Sequence, residues 1–378
     1  MDNIAGARPA LSWAVNIAVV ILVLAWTIPT LGLLISSFRD RDQINTSGWW
    51  TSLSASEQNI VARAEAPDKA AQIGDSWQVS GSIFETGQGE ITAFGITSQA
   101  PTEFKPGDTA THRSGAQILV QKDGAYTISY SEKPSGNRGL RLFATSLTSP
   151  SFTLANYDRV LFSEGIARSF INTFTVTIPA TIIPILIAAF AAYALAWMEF
   201  PGRALLIAIV VGLLVVPLQM SLIPLLKLHN SIGLGKSYLG IWMAHTGFGL
   251  PLAIYLLRNY IAGLPREIIE SARVDGATDF EIFRRIILPL SFPALASFAI
   301  FQFLWVWNDL LVATVFLGNT ESQLVMTGQL RELLGSRGGD WEILASSAFI
   351  SIAVPLLVFF AMQKYLVRGL LAGSVKGG

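Results

Sequence analysis

Six long apolar runs constrain this chain more than any other feature. Leu11–Phe38 carries no charged residue over 28 positions, Ser169–Met198 none over 30 and Ala204–Leu226 none over 23. Ser237–Leu257, Leu290–Leu317 and Ile343–Gln363 complete the set. At 1.5 Å per residue, about 20 apolar residues cross a bilayer as a helix. In lipid every backbone N–H and C=O must be satisfied within the segment, and for such runs that means helix. The chain is 52% hydrophobic and 14% charged, well below the roughly 25% charge of soluble domains. No soluble core accommodates six such runs. The expected fold class is therefore an all-α integral membrane protein with six transmembrane helices. The first run is too long for a signal-peptide core, and no small-residue cleavage site follows it, so it is expected to be retained.

Composition excludes several kinds of chemistry. Formal net charge is zero, so no bulk attraction to nucleic acid is implied. There are no cysteines, which removes disulfides, thiolate metal sites and Cys nucleophiles. His112, His229 and His245 are scattered, with no spacing suited to a metal. No Gly-x-x-x-x-Gly-Lys-Ser/Thr loop is present, so the chain has no ATPase site of its own. No catalytic constellation stands out either, and the reading is that it is not an enzyme.

Between the first two runs lies a polar stretch, 39–167, of different composition. Trp77–Phe84, Glu90–Ser98, Ile118–Gln121, Tyr126–Tyr130 and Leu140–Leu147 read as short strands. Asp123-Gly124 is a hairpin signal between two of them. Ser54–Gln72 reads as a helix. The stretch is expected to be a small β-rich domain outside the membrane. It either contacts a solute-binding protein, supports an assembly or is a passive insert.

The charged segment between the fourth and fifth runs reads as a helix hairpin. Pro265 suits a helix start, where a missing N–H costs nothing. Residues 265–275 read as helix, and Ala272 and Gly276 lie four apart, on one small face. Gly276 is also a natural stop. Thr278 with Glu281 is a capping box that opens a second helix. There Phe280, Phe283 and Ile287 make an apolar stripe, while Arg284 and Arg285 stay polar. Pro289 opens the next apolar run. Unaided, such a hairpin could also lie on lipid headgroups.

This segment resembles the EAA loop of permease subunits in binding-protein-dependent ABC importers. The family signature is Glu-Ala-Ala, three residues, Gly, nine residues, Ile, one residue, Leu-Pro. Glu270, Ala272, Gly276, Ile286, Leu288 and Pro289 match it, and Ser271 replaces the first Ala. The resemblance implies that this loop, with Asp275 inside it, docks on a separate ATP-hydrolysing subunit. Gly48-Trp-Trp50 and Phe152-Thr-Leu-Ala-Asn-Tyr157 resemble a continuous stretch of sugar permeases that the insert interrupts, as in the maltose/alpha-glucoside type.

That resemblance implies an ABC type I importer fold working by alternating access. The implied partners are a second permease subunit, two ATPase subunits that bind ATP and Mg, and a periplasmic or lipoprotein solute-binding protein. The implied cargo is a sugar, an alpha-glucoside (maltose, sucrose or trehalose) or other oligosaccharide. It further implies that the outer loop Gly318–Trp341 enters the binding protein's sugar cleft, with Leu334–Gly339 as its flexible part. The tail Leu371–Gly378 would run along the ATPase interface.

The expected partition is 1–38 with helix 1, the insert 39–167, 168–363 with helices 2–6 and the coupling loop 259–289, and the tail 364–378. Lys and Arg in the short loops cluster on the side of Arg8, Arg203, Arg258 to Arg285 and Lys364 to Lys376. That side is expected to be cytoplasmic, with both termini inside a bacterial inner membrane. Arg39 and Arg41 run against this bias.

Polar residues inside the runs are few: Asn172, Gln219, His245, Gln302, Trp305, Trp307, Asn308 and Asp309. A sugar path needs aromatic faces and planar polar groups. Gln302, Trp305, Asn308 and Asp309 supply both, with Trp305 and Asn308 or Asp309 sharing one helical face. The competing reading is that Asp309 pairs with a neighbouring helix and that the Trp-Asn pair serves the fold. His245 reads as a satisfied buried histidine. Pro179, Pro184, Pro217, Pro224, Pro251 and Pro355 fall within the runs and are expected to kink them or simply pack. An ion-gradient-driven secondary transporter is the rival function. It is disfavoured by the near-solitary Asp309 and the lack of a visible repeat.

Overall fold

In the computed structural model, which describes residues 9–84 and 89–372, the chain forms two compact units. One runs through Asn156 and includes Gly339–Ser346; the other comprises Tyr157–Gly338 and the chain from Ser347.

The first unit begins with α1 (Pro9–Ser37), 29 residues of almost unbroken apolar sequence, and the short α2 (Arg41–Thr46). Arg39, between them, is buried. Its guanidinium donates to the Gln43 carbonyl at 2.8 Å and the Ser47 carbonyl at 3.1 Å. Burial lowers its pKa from the ordinary value. Arg41 pairs with Asp340 at 3.0 Å. Both arginines that run against the charge bias are thus held by local partners.

Eight strands follow: β1 (Ser56–Arg63), β2 (Ala71–Ile73), β3 (Ser76–Ser82), β4 (Gly89–Gly95), β5 (Thr109–Thr111), β6 (Gln117–Val120), β7 (Ala125–Tyr130) and β8 (Arg141–Thr148). They form a three-stranded sheet, β1-β8-β4, and a five-stranded sheet, β2-β3-β7-β6-β5. All the pairs are antiparallel. Inward residues of both sheets, among them Ile91, Phe94, Ile118, Ile128 and Leu142, join in one apolar cluster. Strand-period alternation therefore decides the fold here. Gly124, at φ +84°, makes the β6–β7 turn, as Asp123-Gly124 requires.

The helix expected over Ser54–Gln72 is not there. Most of that segment is β1, a 3-10 turn at Pro67–Lys69 and β2. Glu, Gln, Ala and Arg favour helix, but β1 pairs along its whole length with β8. Its burial alternates residue by residue. Tertiary pairing overrides propensity.

The remaining helices are α3 (Ala155–Ser163), α4 (Ile166–Trp197), α5 (Arg203–Leu213), α6 (Leu218–Ser231), α7 (Tyr238–Ala262), α8 (Arg266–Val274), α9 (Asp279–Ile282), α10 (Leu288–Leu290), α11 (Phe292–Trp307), α12 (Leu311–Phe316), α13 (Met326–Ser336) and α14 (Trp341–Ala372). Among the described residues four helices are long and apolar enough to cross a membrane, or up to six if each of two bent pairs is one span.

The bent pairs correct the simple picture of straight helices. The run Ala204–Leu226 breaks by 109° between α5 and α6. Pro217 sits at that break as the cap of α6; it has no N–H and disfavours helix at Val216. The run Leu290–Leu317 stops at Trp307 and restarts at Leu311. The segment Gly318–Trp341, expected to be a flexible outer loop, carries the helix α13 at its centre. Leu334–Ser336 forms the last turn of α13, so only the residues after it are irregular. Of the tail Leu371–Gly378, residues 373–378 lie outside the described residues.

Phe94 is fully buried and packs against Phe104 at 5.5 Å between ring centres. Phe94→Ala should cost about 3–5 kcal/mol. Hydrogen exchange should show lost protection in β1, β4 and β8, with α4 and α7 unchanged.

Candidate functional site

The polar hairpin is α8, a turn, α9 and a widened turn. Pro265 caps α8. Gly276 adopts φ +81° with no atom within 4 Å of a Cβ built there. Left-handed backbone favours glycine, so Gly276 makes the reversal. Ala277 N–H then returns to the Ala272 carbonyl at 2.9 Å. The capping box is complete: Thr278 Oγ1 accepts from Glu281 N–H, and Glu281 accepts from Thr278 N–H. Phe283–Ile287 is a π turn. It lies directly before Pro289, whose ring crowds the preceding turn and has no N–H to donate.

Two faces result. Ile269, Ile282, Phe283 and Ile287 are buried in one cluster with Ala188, Ala192 and Tyr193 of α4 and Leu257 and Ile261 of α7. Tyr193 donates its hydroxyl to Asp279 at 3.1 Å, and Asp279 also takes Arg273 at 3.2 Å. Trp197 Nε1 donates to the Ile261 carbonyl at 3.0 Å and ties the ends of α4 and α7 together. On the other face Glu270, Ser271, Val274, Asp275 and Gly276 are exposed, with Val274 at 88%. Arg266 pairs with Glu270 at 2.7 Å.

Two details differ from the sequence pattern. Phe280 is 60% exposed, and Ile282 takes its place in the buried stripe. Phe280 stands in the first turn of α9, before the π turn begins and next to the exposed cap residues Thr278 and Asp279. Ala272 is half-buried against the cluster while Gly276 is exposed past the end of α8, so the two do not share a helix face. Ile286 is half-buried, and Leu288 and Pro289 are exposed.

The residues considered for a substrate path separate into two groups. Gln302 is buried, and its Nε2 donates to the Ala180 carbonyl at 3.0 Å. Gly249 lies beneath it, since a Cβ there would stand 2.6 Å from Gln302 Oε1. Trp307 is buried, with Nε1 on the Ser351 carbonyl at 3.0 Å. Asn172 is satisfied by the Ser322 and Leu324 carbonyls and by the Tyr238 hydroxyl. These three hold helices and loops together.

Trp305 is half-buried, Asn308 exposed and Asp309 half-buried. α11 ends at Trp307, so these residues do not share a continuous helical face. Asp309 Oδ2 instead accepts from Ala313 N–H at 2.9 Å and caps α12. It also stands 3.9 Å from His245 Nε2. His245 packs edge-on against Trp305 at 5.2 Å. His245 is buried as expected, but neither ring nitrogen has a hydrogen-bond partner. Gln219 is exposed.

Sequence reasoning missed the anchoring of α13. Thr173 Oγ1 accepts from Met326 N–H at 2.8 Å, and Gln329 Nε2 donates to the Glu164 carbonyl at 2.8 Å. It also missed Tyr193 and Trp197. Their positions near the end of an apolar run were the available signal.

A helical membrane chain with interrupted spans and a solvent-facing polar hairpin has the form of a transport permease. A family model described as the inner membrane component of binding-protein-dependent transport systems matches residues 136–371, and the chain belongs to this family. It is a multi-pass inner-membrane permease subunit of an ABC transporter, and a non-enzymatic component. It is 64% identical over 376 residues to the alpha-glucoside transport system permease protein AglG of Rhizobium meliloti (strain 1021), covering 98% of this chain and 99% of that one. It is 43% identical over 362 residues to the osmoprotective compounds uptake permease protein GgtD of Synechocystis sp. (strain ATCC 27184 / PCC 6803 / Kazusa), covering 96% and 91%. Among solved structures, a chain of a bacterial ABC transporter involved in import of the acidic polysaccharide alginate aligns with TM-score 0.49 and 24% identity, over 58% of this chain and 81% of that one.

The Gly249–Gln302 packing is directly testable. Gly249→Ala should overpack the α4–α7–α11 junction and cost about 1–3 kcal/mol. Gln302→Ala in the same chain should recover part of the loss. Thermal unfolding in detergent of both single variants and the double variant measures the coupling.

Proposed function

We propose that this chain moves an alpha-glucoside across the inner membrane by alternating access, as one permease of an ATP-driven importer. The observation that carries the reading is the hairpin. An exposed polar tip, Glu270 to Gly276, sits on an apolar base shared with α4 and α7. A polar knob rigidly joined to membrane helices is suited to pass on the motion of a soluble partner. Relatedness to the alpha-glucoside permease over nearly the whole chain, the β-rich stretch included, supports the cargo class.

In this reading each bent pair is one span, giving six transmembrane helices of the ABC type I importer fold. The β-rich domain is extracytoplasmic, and the hairpin and both termini are cytoplasmic. The assembly contains a second permease subunit, two ATPase subunits carrying ATP and Mg, and a solute-binding protein that delivers the sugar. Glu270, Ala272, Asp275, Gly276, Ile286, Leu288 and Pro289 belong to the coupling element. Ala272 and Ile286 act from its half-buried side, the others from its exposed side. ATP binding draws the two coupling hairpins together and opens the cavity outward, and hydrolysis resets it. Trp305, Asn308 and Asp309 border the path. Gln302 contributes by fixing the helices beside it.

Gly276→Asp tests the coupling. An Asp side chain has open space there and tolerates left-handed backbone better than most residues. Membrane insertion should therefore persist while uptake falls by at least about tenfold, equivalent to roughly 1.4 kcal/mol of lost coupling. Gly202→Asp is the control: it has φ +85°, equally open surroundings and no place in the hairpin. Labelled maltose uptake, with immunoblots for chain level and ATPase co-purification, reads the result. Normal uptake with the ATPase retained in Gly276→Asp would reject the docking role.

A further inference from the structure

The β-rich domain holds a cleft that the transport reading leaves unused. On the inner face of the five-stranded sheet, side chains line up in cross-strand rows. Val79, Ile128 and Ile118 form one row, in register through Val79↔Ile128 and Ile118↔Ile128, and all three are buried. The next row outward begins with Trp77 directly opposite Tyr130. Its third place, two residues before Ile118, is taken by Ala116. An isoleucine is thus replaced by a single methyl group at the rim. Beside it lies a cavity of about 550 Å³, lined by His112, Ala116, Tyr130, Glu132, Lys133 and Leu140 among others. That volume falls within the range of small-molecule sites.

The lining combines two kinds of surface. Tyr130, half-buried, is the aromatic face of the lining; Trp77, its cross-strand neighbour outside the lining, carries Lys133 Nζ 5.3 Å from its ring centre. The cation–π contact holds the Lys133 ammonium at the edge of the cleft beside Tyr130. Around it stand polar groups with spare capacity. His112 uses Nδ1 on Ser114 Oγ at 2.8 Å, and its Nε2 has no hydrogen-bond partner among the described residues. The Glu132 carboxylate makes no ion pair or hydrogen bond there either. One carboxylate and one ammonium offset each other, so the cleft selects neither anion nor cation. Aromatic faces with planar acceptors and donors match the apolar face and hydroxyls of a sugar ring.

We propose that this cleft binds a neutral glycoside, with one sugar ring against Tyr130 and its hydroxyls on His112, Glu132 and Lys133. The site would be a second sugar site, independent of the intramembrane path. The choice of ligand class rests on the alpha-glucoside reading above; the cleft itself does not depend on the hairpin.

The test uses the full-length chain in lipid nanodiscs, without ATPase or binding protein, titrated with maltose, sucrose and trehalose. Saturation-transfer NMR should detect binding of at least one of them, with a Kd on the order of 1 mM. His112→Ala with Glu132→Ala should weaken it by about tenfold or more. Ala116→Leu, which fills the cavity, should abolish it. Asp309→Asn should leave it unchanged. The His112 and Glu132 variants alter partly or fully exposed side chains, so an unchanged circular dichroism spectrum will show that the domain remains folded.

Absence of saturation transfer with all three sugars would overturn the proposal. So would binding that survives the double variant or that disappears with Asp309→Asn. Uptake of the same sugars by cells carrying the complete system is measured in parallel. Uptake without cleft-dependent binding overturns the cleft alone, whereas absence of both overturns the alpha-glucoside reading with it.

Discussion

Burial of Ile269, Ile282, Phe283 and Ile287 is the interaction on which the hairpin's form depends. Each such side chain contributes roughly 1.5–3 kcal/mol when taken from water. The ion pairs of the hairpin, Arg266–Glu270, Arg273–Asp279 and Arg285–Glu281, are all partly or largely exposed. Exposed pairs contribute about 0–1 kcal/mol each. The apolar base therefore dominates, and the charges set the shape of the tip. The Tyr193–Asp279 hydrogen bond adds direction, because it fixes where α9 starts relative to α4.

Inside the spans the dominant problem is the opposite one. Backbone polar groups freed by prolines and breaks must be satisfied without water. Side chains do this work repeatedly. Asp309 caps α12 where α11 has ended. Asn172 takes two loop carbonyls, and Thr173 takes the N–H that starts α13. Gln302 reaches a carbonyl on α4 across a glycine on α7. Most polar residues of the spans are thereby engaged in holding the fold, which leaves few for a passing solute. His245 is an exception, as are Thr177, Thr181, Thr246 and Ser347, whose hydroxyls are buried without a partner among the described residues. His245 is fully buried with both ring nitrogens unpartnered and the Asp309 carboxylate 3.9 Å away.

Much of this was legible in the residues. Long apolar runs located α1, α4, α7 and α14, because little else explains helices of 25 to 32 residues with so few charges. The capping box at Thr278 and the left-handed turn at Gly276 were readable because both are local. What escaped the reading was non-local. β1 looked helical because its partner β8 lies some eighty residues away. The exposure of Phe280, in the first turn of α9, is not announced by residue spacing. Asp309 was placed on the wrong geometric footing because the end of α11 at Trp307 falls inside an apolar run. Strand alternation in the insert was visible, but the cleft beside Tyr130 needed the register of three strands.

In the proposed cycle the hairpin moves with whatever it is packed against. The cluster beneath it contains residues of α4 and α7, and Phe298 brings in the first half of α11. A push on the tip therefore loads three membrane helices together. The compliant places lie elsewhere. The chain bends by 69° between α10 and α11, directly after the π turn. It bends by 109° between α5 and α6. Packed cores transmit displacement, whereas breaks in hydrogen-bond ladders absorb it. The helices tied to the hairpin should then move as one body. Ile207 and Val210 of α5 also pack against the hairpin cluster, whereas α6 contributes no residue to it, so the α5–α6 break is where their relative rotation is accommodated.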